Sequence, residues 1–411
     1  MINTTMHSIG GFLFMYPLFM SLVWIISSLL FYARRERSPL EADNNLEELP
    51  FVSILLPSYN EGAHIEETVR NLDTLYYQHY EIIVINDGST DTTREILARL
   101  SRSIDRLKVI NIRENKGKAN ALYYGTIASK GEIVVTMDSD ALLDKDALRY
   151  MVPHFTTPGK SERVGAVTGN PRVRNRRTLL GKIQVVEYSS IIGLIKRSQR
   201  ILGKMMTVSG VFAAFRKQAL LDVGFWDKDL ITDDIGITWK LQERFWDVRY
   251  EPRALCWMLV PETVKGLLQQ RIRWAQGGIE VLLRHRAIFK DYRQRRLYPV
   301  YIEQTLSILW SISWMFYLMY LVFFDFSPSM LLYGAYIAFI SLIQLTVAIF
   351  IDRQYEDNLV KYIWWAGWYP MVYWMISVLA LIPAIPKAVK ILTTNKTEYA
   401  TWDSPDRGKE V

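Results

Sequence analysis

Residues 9 to 32, IGGFLFMYPLFMSLVWIISSLLFY, run without a single charge over a length that, as a helix, spans about 30 Å of hydrocarbon. That run predicts a membrane anchor, and it constrains everything after it. A cleaved signal peptide would want a basic start and a shorter apolar stretch, whereas here Arg34, Arg35 and Arg37 follow the span and predict that the next segment is cytoplasmic. Apolar runs return late in the chain. Residues 299–324 and 330–351, joined by a short turn around Asp325 and Pro328, predict a helical hairpin. A third stretch, 363–386, is rich in Trp and Tyr and interrupted by Pro370, Pro383 and Pro386. One full span there would place the tail outside, yet Lys387, Lys390, Lys396, Arg407 and Lys409 favour the inside, so a re-entrant or interfacial course stays open.

The expected organisation is therefore an N-terminal anchor at 1–35, a cytosolic domain with interface helices at 50–298, membrane helices at 299–390 and a tail at 391–411. The acidic EADNNLEELP at 41–50 reads as a linker. Cys256 is the single cysteine, which excludes an internal disulfide and a thiolate metal cluster, and the five histidines show no ligand spacing. The formal charge of +7 fits membrane-facing loops and a polyanionic small ligand; no nucleic-acid motif accompanies it.

Within 50–298, strand-like runs (FVSILLP, YEIIVIND, LKVINI, GEIVVTMDSD) alternate with helix-like ones (HIEETVRNLDTL, TREILARL, KANALYYGTIAS). Such alternation predicts crossover units, an α/β fold and a mainly parallel sheet. Ligands of open parallel sheets bind beyond the carboxyl ends of the strands, and those ends carry Ser58, Tyr59, Asn60 and Glu61, then Asp87, then Asp138 and Asp140. On an extended chain Asp138 and Asp140 share a side, where their charges repel unless a cation lies between them. A divalent metal is one answer; a turn or helix cap is another. NDGSTD at 86–91 also reads as a turn and cap, and Lys118 in NKGKANAL as a solvated helix-start lysine or as a phosphate contact. Neither GxxxxGK[ST] nor GxGxxG is present.

Downstream, Thr232, Asp233 and Asp234 head a predicted helix, where carboxylates are favoured by the exposed N–H groups. Gln270, Arg273 and Trp274 fall at i, i+3 and i+4 and share one helical face, as they would also in a membrane-interface helix.

In order, Asp87, Asp138-Ser139-Asp140, Thr232-Asp233-Asp234 and Gln270-Arg271-Ile272-Arg273-Trp274 resemble the D, DxD, TED and QxxRW motifs of processive family 2 glycosyltransferases, which include cellulose, chitin and hyaluronan synthases. NPRVRNRRTLLGKIQVVEY, CWMLVPETVKGLLQQRIRWAQGG and the terminal TWDSPDRG are similar to the poly-β-1,6-N-acetylglucosamine synthase branch that builds biofilm matrix. Asp233 departs from the usual Glu of TED, which touches only that neighbour's contact.

The resemblance implies a GT-A type nucleotide-sugar domain flanked by transmembrane helices in a bacterial inner membrane, with UDP-N-acetylglucosamine as donor and a growing polysaccharide as acceptor. It implies Asp87 on the uracil or ribose; Tyr59, Glu61, Lys118, Thr232 and Asp233 at the substrate; and Asp138 and Asp140 on the nucleotide and a Mg²⁺ or Mn²⁺. Asp234 becomes the general base of an inverting displacement, Arg273 the partner of the leaving diphosphate, Trp274 an apolar face for the acceptor and Gln270 a hydrogen-bonding group. It further implies a small membrane accessory subunit and, in some bacteria, a response to cyclic di-GMP, for which Arg172, Arg174, Arg176 and Arg177 offer a cluster that reads equally as a solvated or lipid-facing patch. Another β-linked polysaccharide is the rival product. An inactive transport or scaffold subunit is the rival class, opposed by the retention of Asp87, Asp138, Asp140 and Asp234.

Overall fold

A computed structural model describes residues 2–37, 49–323, 328–367, 369–393 and 399–401. Most of the linker at 41–50, the turn around Asp325 and the segment from Trp402 onward lie outside the described residues. The chain divides into two compact units: Pro39–Asn175, Lys204–Val260 and Asn395–Val411 make an α/β unit, and Met1–Ser38, Arg176–Gly203 and Pro261–Thr394 make a helical one.

The α/β unit is built on eight strands: β1 (Val52–Ser58), β2 (Tyr80–Asp87), β3 (Leu107–Ile112), β4 (Ile133–Met137), β5 (Leu142–Leu143), β6 (Val164–Val173), β7 (Phe212–Arg216) and β8 (Asp247–Met258). They join in the order β3-β2-β1-β4-β7-β6-β8-β5. Pairing is parallel for β1 with β2 and β4, β2 with β3, and β6 with β8, and antiparallel around β7 and at β5. The sheet is mixed and mostly parallel, as the alternating sequence pattern predicts. Strands such as β2 are apolar at successive positions because helices cover both faces, and every residue of β2 is buried. Val52, Ile54, Leu56 and Val84 pack with Ile65, Val69 and Leu72 of the helix Ile65–Leu72 and with Leu97 and Leu100 of the helix Thr93–Leu100. Across the sheet, the helix Lys118–Ala128 comes so close at Gly125 that a Cβ there would run into Ile85 and Leu55.

This strand order also decides where a ligand can sit. From β1 the chain winds outward to β2 and β3, then returns to lay β4 on the opposite side of β1. Connections at the carboxyl ends of β1 and β4 thus diverge and leave a crevice between them. Tyr59–Glu61 follow β1 and Asp138–Asp140 follow β4, so the crevice is lined by the polar residues singled out above.

In the helical unit run the helices Ile2–Phe31, Val264–Arg284, Tyr298–Phe323, Pro328–Asp352 and Tyr369–Thr393. Among the described residues, two stretches, Ile9–Glu36 and Gly334–Asp352, are long and apolar enough to cross a membrane by length and composition. In the Trp- and Tyr-rich stretch whose course the sequence leaves open, Ile363–Ala366 form a short helix and Tyr369–Thr393 a longer one that continues through Pro383 and Pro386. A buried ion cluster ties distant segments of this unit together. Arg197 is fully buried and meets Glu36 at 2.6 Å and Asp352 at 2.9 Å, while the Tyr355 hydroxyl donates to Glu36 at 2.6 Å.

Taking away one partner from a buried pair leaves an uncompensated charge, at a cost of about 3–5 kcal/mol. Arg197→Met is expected to lower the thermal unfolding temperature sharply in detergent or lipid. Glu36→Gln/Arg197→Met/Asp352→Asn, which removes all three charges, is expected to recover most of that loss, and a triple variant as unstable as the single one would contradict this account.

Candidate active site

At the carboxyl end of β1, Asn60 adopts a left-handed backbone (φ 55°), and its side-chain oxygen accepts from the Thr90 N–H at 2.9 Å. This clips the β1 loop to the β2 loop. Asp91 completes the clip, accepting from Gly62 at 2.9 Å and from Thr93 at 3.0 Å, so the turn-and-cap reading of NDGSTD holds for its last residue. Asp87, ending β2, is used differently. Its carboxylate accepts from the Lys116 N–H and, at 2.8 Å, from the Gly117 N–H, which anchors the loop that opens the helix Lys118–Ala128.

The DxD residues depart from the simple strand picture. β4 stops at Met137, and the Asp138 N–H donates to the Val211 carbonyl while its own carbonyl accepts from Ala141. Asp138 and Asp140 therefore lie on a turn, and the i, i+2 geometry of an extended chain does not apply to them. Thr68 pins that turn by donating to the Ser139 carbonyl at 2.8 Å. The cation facing Asp138 is Lys118, whose ammonium lies 2.5 Å from the carboxylate and 2.9 Å from the Gly210 carbonyl.

One open cleft gathers these groups, lined by Ser58, Tyr59, Glu61, Asp87, Asn115, Gly117, Lys118, Asp138 and Ser139 among others. Asp140 is buried. Thr232 is the N-cap residue of the helix Asp233–Glu243, and Asp234 accepts from the Gly210 N–H at 3.1 Å and from Ile235 at 2.9 Å. Gly210 thus links base candidate and lysine through its two backbone groups, a role that the sequence does not disclose.

Charge and burial compete strongly here. Burial disfavours a charged Lys118, but Asp138, Asp233 and Asp234 outweigh it and hold the ammonium's pKa above its ordinary range. Burial pushes the Asp233 carboxyl up to about 6, opposed by Lys118 and reinforced by Asp234 and Asp138. Asp87 is raised by burial too, against its N–H bonds and the Lys116 charge.

On the helix Val264–Arg284 of the helical unit, Gln270, Arg273 and Trp274 do share one face. Gln270 is buried, and two residues not singled out from the sequence stand with it: Glu187, paired with Arg271 at 2.6 Å, and Tyr188, whose hydroxyl pKa is pushed by burial up to about 12. In the basic run, Arg172 is buried, Arg174 pairs with Glu67 and Arg176 with Glu356, while Arg177 is exposed.

A crevice at the switch point of a mostly parallel sheet, furnished with carboxylates and one partly buried lysine, defines a nucleotide-sugar site of the GT-A kind. Residues 50–277 match the family described as glycosyltransferase like family 2, and the chain belongs to that family: it is a glycosyltransferase. It is 46% identical over 97% of its length, and 98% of the relative's, to the poly-beta-1,6-N-acetyl-D-glucosamine synthase of Staphylococcus aureus (strain COL). To the same-named protein of Staphylococcus epidermidis it is 44% identical, covering 98% of this chain and 99% of the other. Among solved structures, the mannosyltransferase PcManGT from Pyrobaculum calidifontis, in complex with GDP-Man and Mn²⁺, shares the fold with a TM-score of 0.61 at 22% identity, over 92% of this chain and 99% of that one.

The Asp233 shift gives a stability profile. Below its ordinary pKa of 3.8 the carboxyl is protonated folded or unfolded, and above about 6 it is ionised in both, with the folded form bearing the buried charge. Stability contributed by this group is thus greatest at low pH and lost as pH rises from about 4 to about 6. Subtracting the melting profile of Asp233→Asn from that of the unmutated, ligand-free protein should isolate a decline in that window; a flat difference would refute the burial of this charge.

Proposed function

We propose that the chain is a membrane-embedded, processive, inverting glycosyltransferase that polymerises N-acetylglucosamine from UDP-N-acetylglucosamine into a β-1,6-linked biofilm polymer. The observation that carries this reading is the convergence of Asp87, Lys118 and Asp138 in one cleft at the sheet's switch point, in a chain that matches the staphylococcal synthases nearly end to end. Residues 1–35 would anchor it in the bacterial inner membrane, 50–298 would work in the cytoplasm, and 299–390 would flank the exit path of a polymer too polar to cross hydrocarbon unaided. A small membrane subunit and a cyclic di-GMP response rest on the family resemblance alone, with Arg177 the exposed member of the basic run.

The donor set suits a hard divalent cation. Among the described residues no group of three or more His, Cys, Asp or Glu side chains could enclose a metal ion, so Asp138 and Asp140 would hold Mg²⁺ or Mn²⁺ only with diphosphate oxygens and water as further ligands. Such an ion, once bound, neutralises charge on the departing diphosphate. The protein's own groups do the rest. Asp87 orients the nucleoside, with Tyr59 and Glu61 along the same wall, and Lys118 turns its ammonium to the phosphates. Asp234, held by Gly210 and Ile235, takes the proton of the acceptor hydroxyl as that oxygen attacks the anomeric carbon, with Thr232 and Asp233 shaping its surroundings. Arg273 receives the leaving diphosphate, Trp274 stacks on the acceptor sugar and Gln270 bonds to it.

Membranes containing this chain are expected to polymerise UDP-N-acetylglucosamine when Mg²⁺ or Mn²⁺ is supplied and to stop when it is chelated. The product should yield to a hydrolase specific for β-1,6-linked N-acetylglucosamine; incorporation of UDP-glucose alone would overturn the donor assignment.

Asp234→Asn separates chemistry from binding, because the amide keeps the size and its one oxygen can still accept from either Gly210 or Ile235. General-base catalysis contributes about 10² to 10⁴ in rate, so synthesis should fall by at least that order while UDP affinity changes little. Both quantities are to be measured on one folded preparation. Substantial residual synthesis would remove Asp234 from the base role.

A further inference from the structure

The QxxRW helix carries a second arginine that the proposed chemistry leaves unused. Arg271 is 6% exposed, and its guanidinium meets the Glu187 carboxylate at 2.6 Å and the Trp274 ring, over which it lies 4.2 Å from the centroid. Glu187 is itself 3% exposed and ends the helix Leu179–Glu187, just before the π-helical turn Tyr188–Leu194. It approaches Arg271 from 84 residues upstream, so the pair is a tertiary contact between two helical segments of one unit. Two cations, Arg271 and Arg273, sit two residues apart on the same helix and so face different sides of it. The Glu187 charge neutralises Arg271, which makes the two arginines electrostatically unequal. Arg271 then covers one face of Trp274, and a planar guanidinium fixed by an ion pair fixes the plane of the ring stacked on it.

We propose that Glu187 is a positioning residue for acceptor binding: it holds Arg271, and Arg271 sets the Trp274 indole in the orientation that a sugar ring can stack on. This rests on the reading above that Trp274 faces the acceptor. Glu187 touches no substrate in this scheme. Its action is on the acceptor side alone, so it should leave nucleotide binding in the α/β unit as it is.

Full-length protein in lipid, given UDP-N-acetylglucosamine and added β-1,6-linked N-acetylglucosamine oligomers, allows the test. Glu187→Gln keeps the shape and removes the charge. Losing a cation–π contact of this kind corresponds to about 2- to 30-fold in binding, so the KM for the oligomers should rise by that factor while UDP affinity stays unchanged. Glu187→Asp, which keeps the charge, should restore part of it. Because Glu187→Gln alone strands a buried guanidinium, Glu187→Gln/Arg271→Met is made as well; removing both charges relieves the burial problem without restoring the ring's support. A purely structural pair predicts wild-type acceptor KM in that double variant, and such a result overturns the proposal. Positioning predicts that the double variant folds and keeps the raised KM.

Trp274→Phe distinguishes the two levels of the argument. If it leaves the acceptor KM unchanged, the acceptor reading of Trp274 fails and the proposal with it. If it raises the KM while Glu187→Gln does not, the acceptor reading stands and the positioning role alone is refuted. Where both act through one ring, Trp274→Phe/Glu187→Gln should be no worse than Trp274→Phe alone; additive losses count against the proposal.

Discussion

One partly buried ammonium organises the candidate active-site cleft. Lys118 faces Asp138 directly and feels the charges of Asp233 and Asp234, which together outweigh the desolvation of its own ammonium. The lysine opens its helix, so its position depends on the loop before it, and that loop is held by the Asp87 carboxylate through the amides of Lys116 and Gly117. Asp87 thus serves the cleft twice over, as a wall of the cavity and as the anchor that puts the lysine in place. A family 2 glycosyltransferase takes an anionic donor, and in the proposed function the lysine that now balances these carboxylates would turn to that donor's phosphates.

Sheet topology supplies the location and backbone chemistry the precision. The β1 and β4 loops diverge at the switch point, which leaves room for a ligand but also leaves loops that could drift. Each is tied down by a bond with a neighbouring element: the Thr90 N–H donates to Asn60, the Thr68 hydroxyl to the Ser139 carbonyl, and the Asp138 N–H to the Val211 carbonyl. None of the bonded groups is charged, so the ties do not disturb the electrostatics of the site they position.

Much of this was legible in the chain, for identifiable reasons. β1, β2 and β4 are buried on both faces and so leave unbroken apolar runs; the polar residues that end those runs mark the strand ends directly. The Gln270, Arg273 and Trp274 face follows from helical period alone. What failed to show was long-range pairing. Asp138 and Asp140 read as a continuing strand because nothing in DSDA announces that Ala141 closes a turn onto the Asp138 carbonyl or that Val211, far along the chain, takes the Asp138 N–H. Glu187 lies in an apolar helix where an acid reads as ordinary, and its partner comes 84 residues later. Likewise the arginines of NPRVRNRR look like a cluster in one dimension, whereas Glu67 and Glu356 take two of them individually.

Gly117 shows how tightly such constraints can overlap. Its N–H binds Asp87 and its backbone is left-handed, at φ 84°, so the residue already has a conformational reason to lack a side chain. A second comes from the far end of the chain. The short stretch at 399–401 rejoins the α/β unit, where the Ala400 N–H donates to the Lys228 carbonyl at 2.8 Å, and the Ala400 carbonyl occupies the space that a Cβ on Gly117 would need. Tyr399 lies within cation–π distance of Lys116 and Lys228. Alanine at 117 would therefore have to displace this returning segment or rotate the amide that holds Asp87. Because Lys118 follows directly, either movement would reach the ammonium on which the charge balance of the cleft depends.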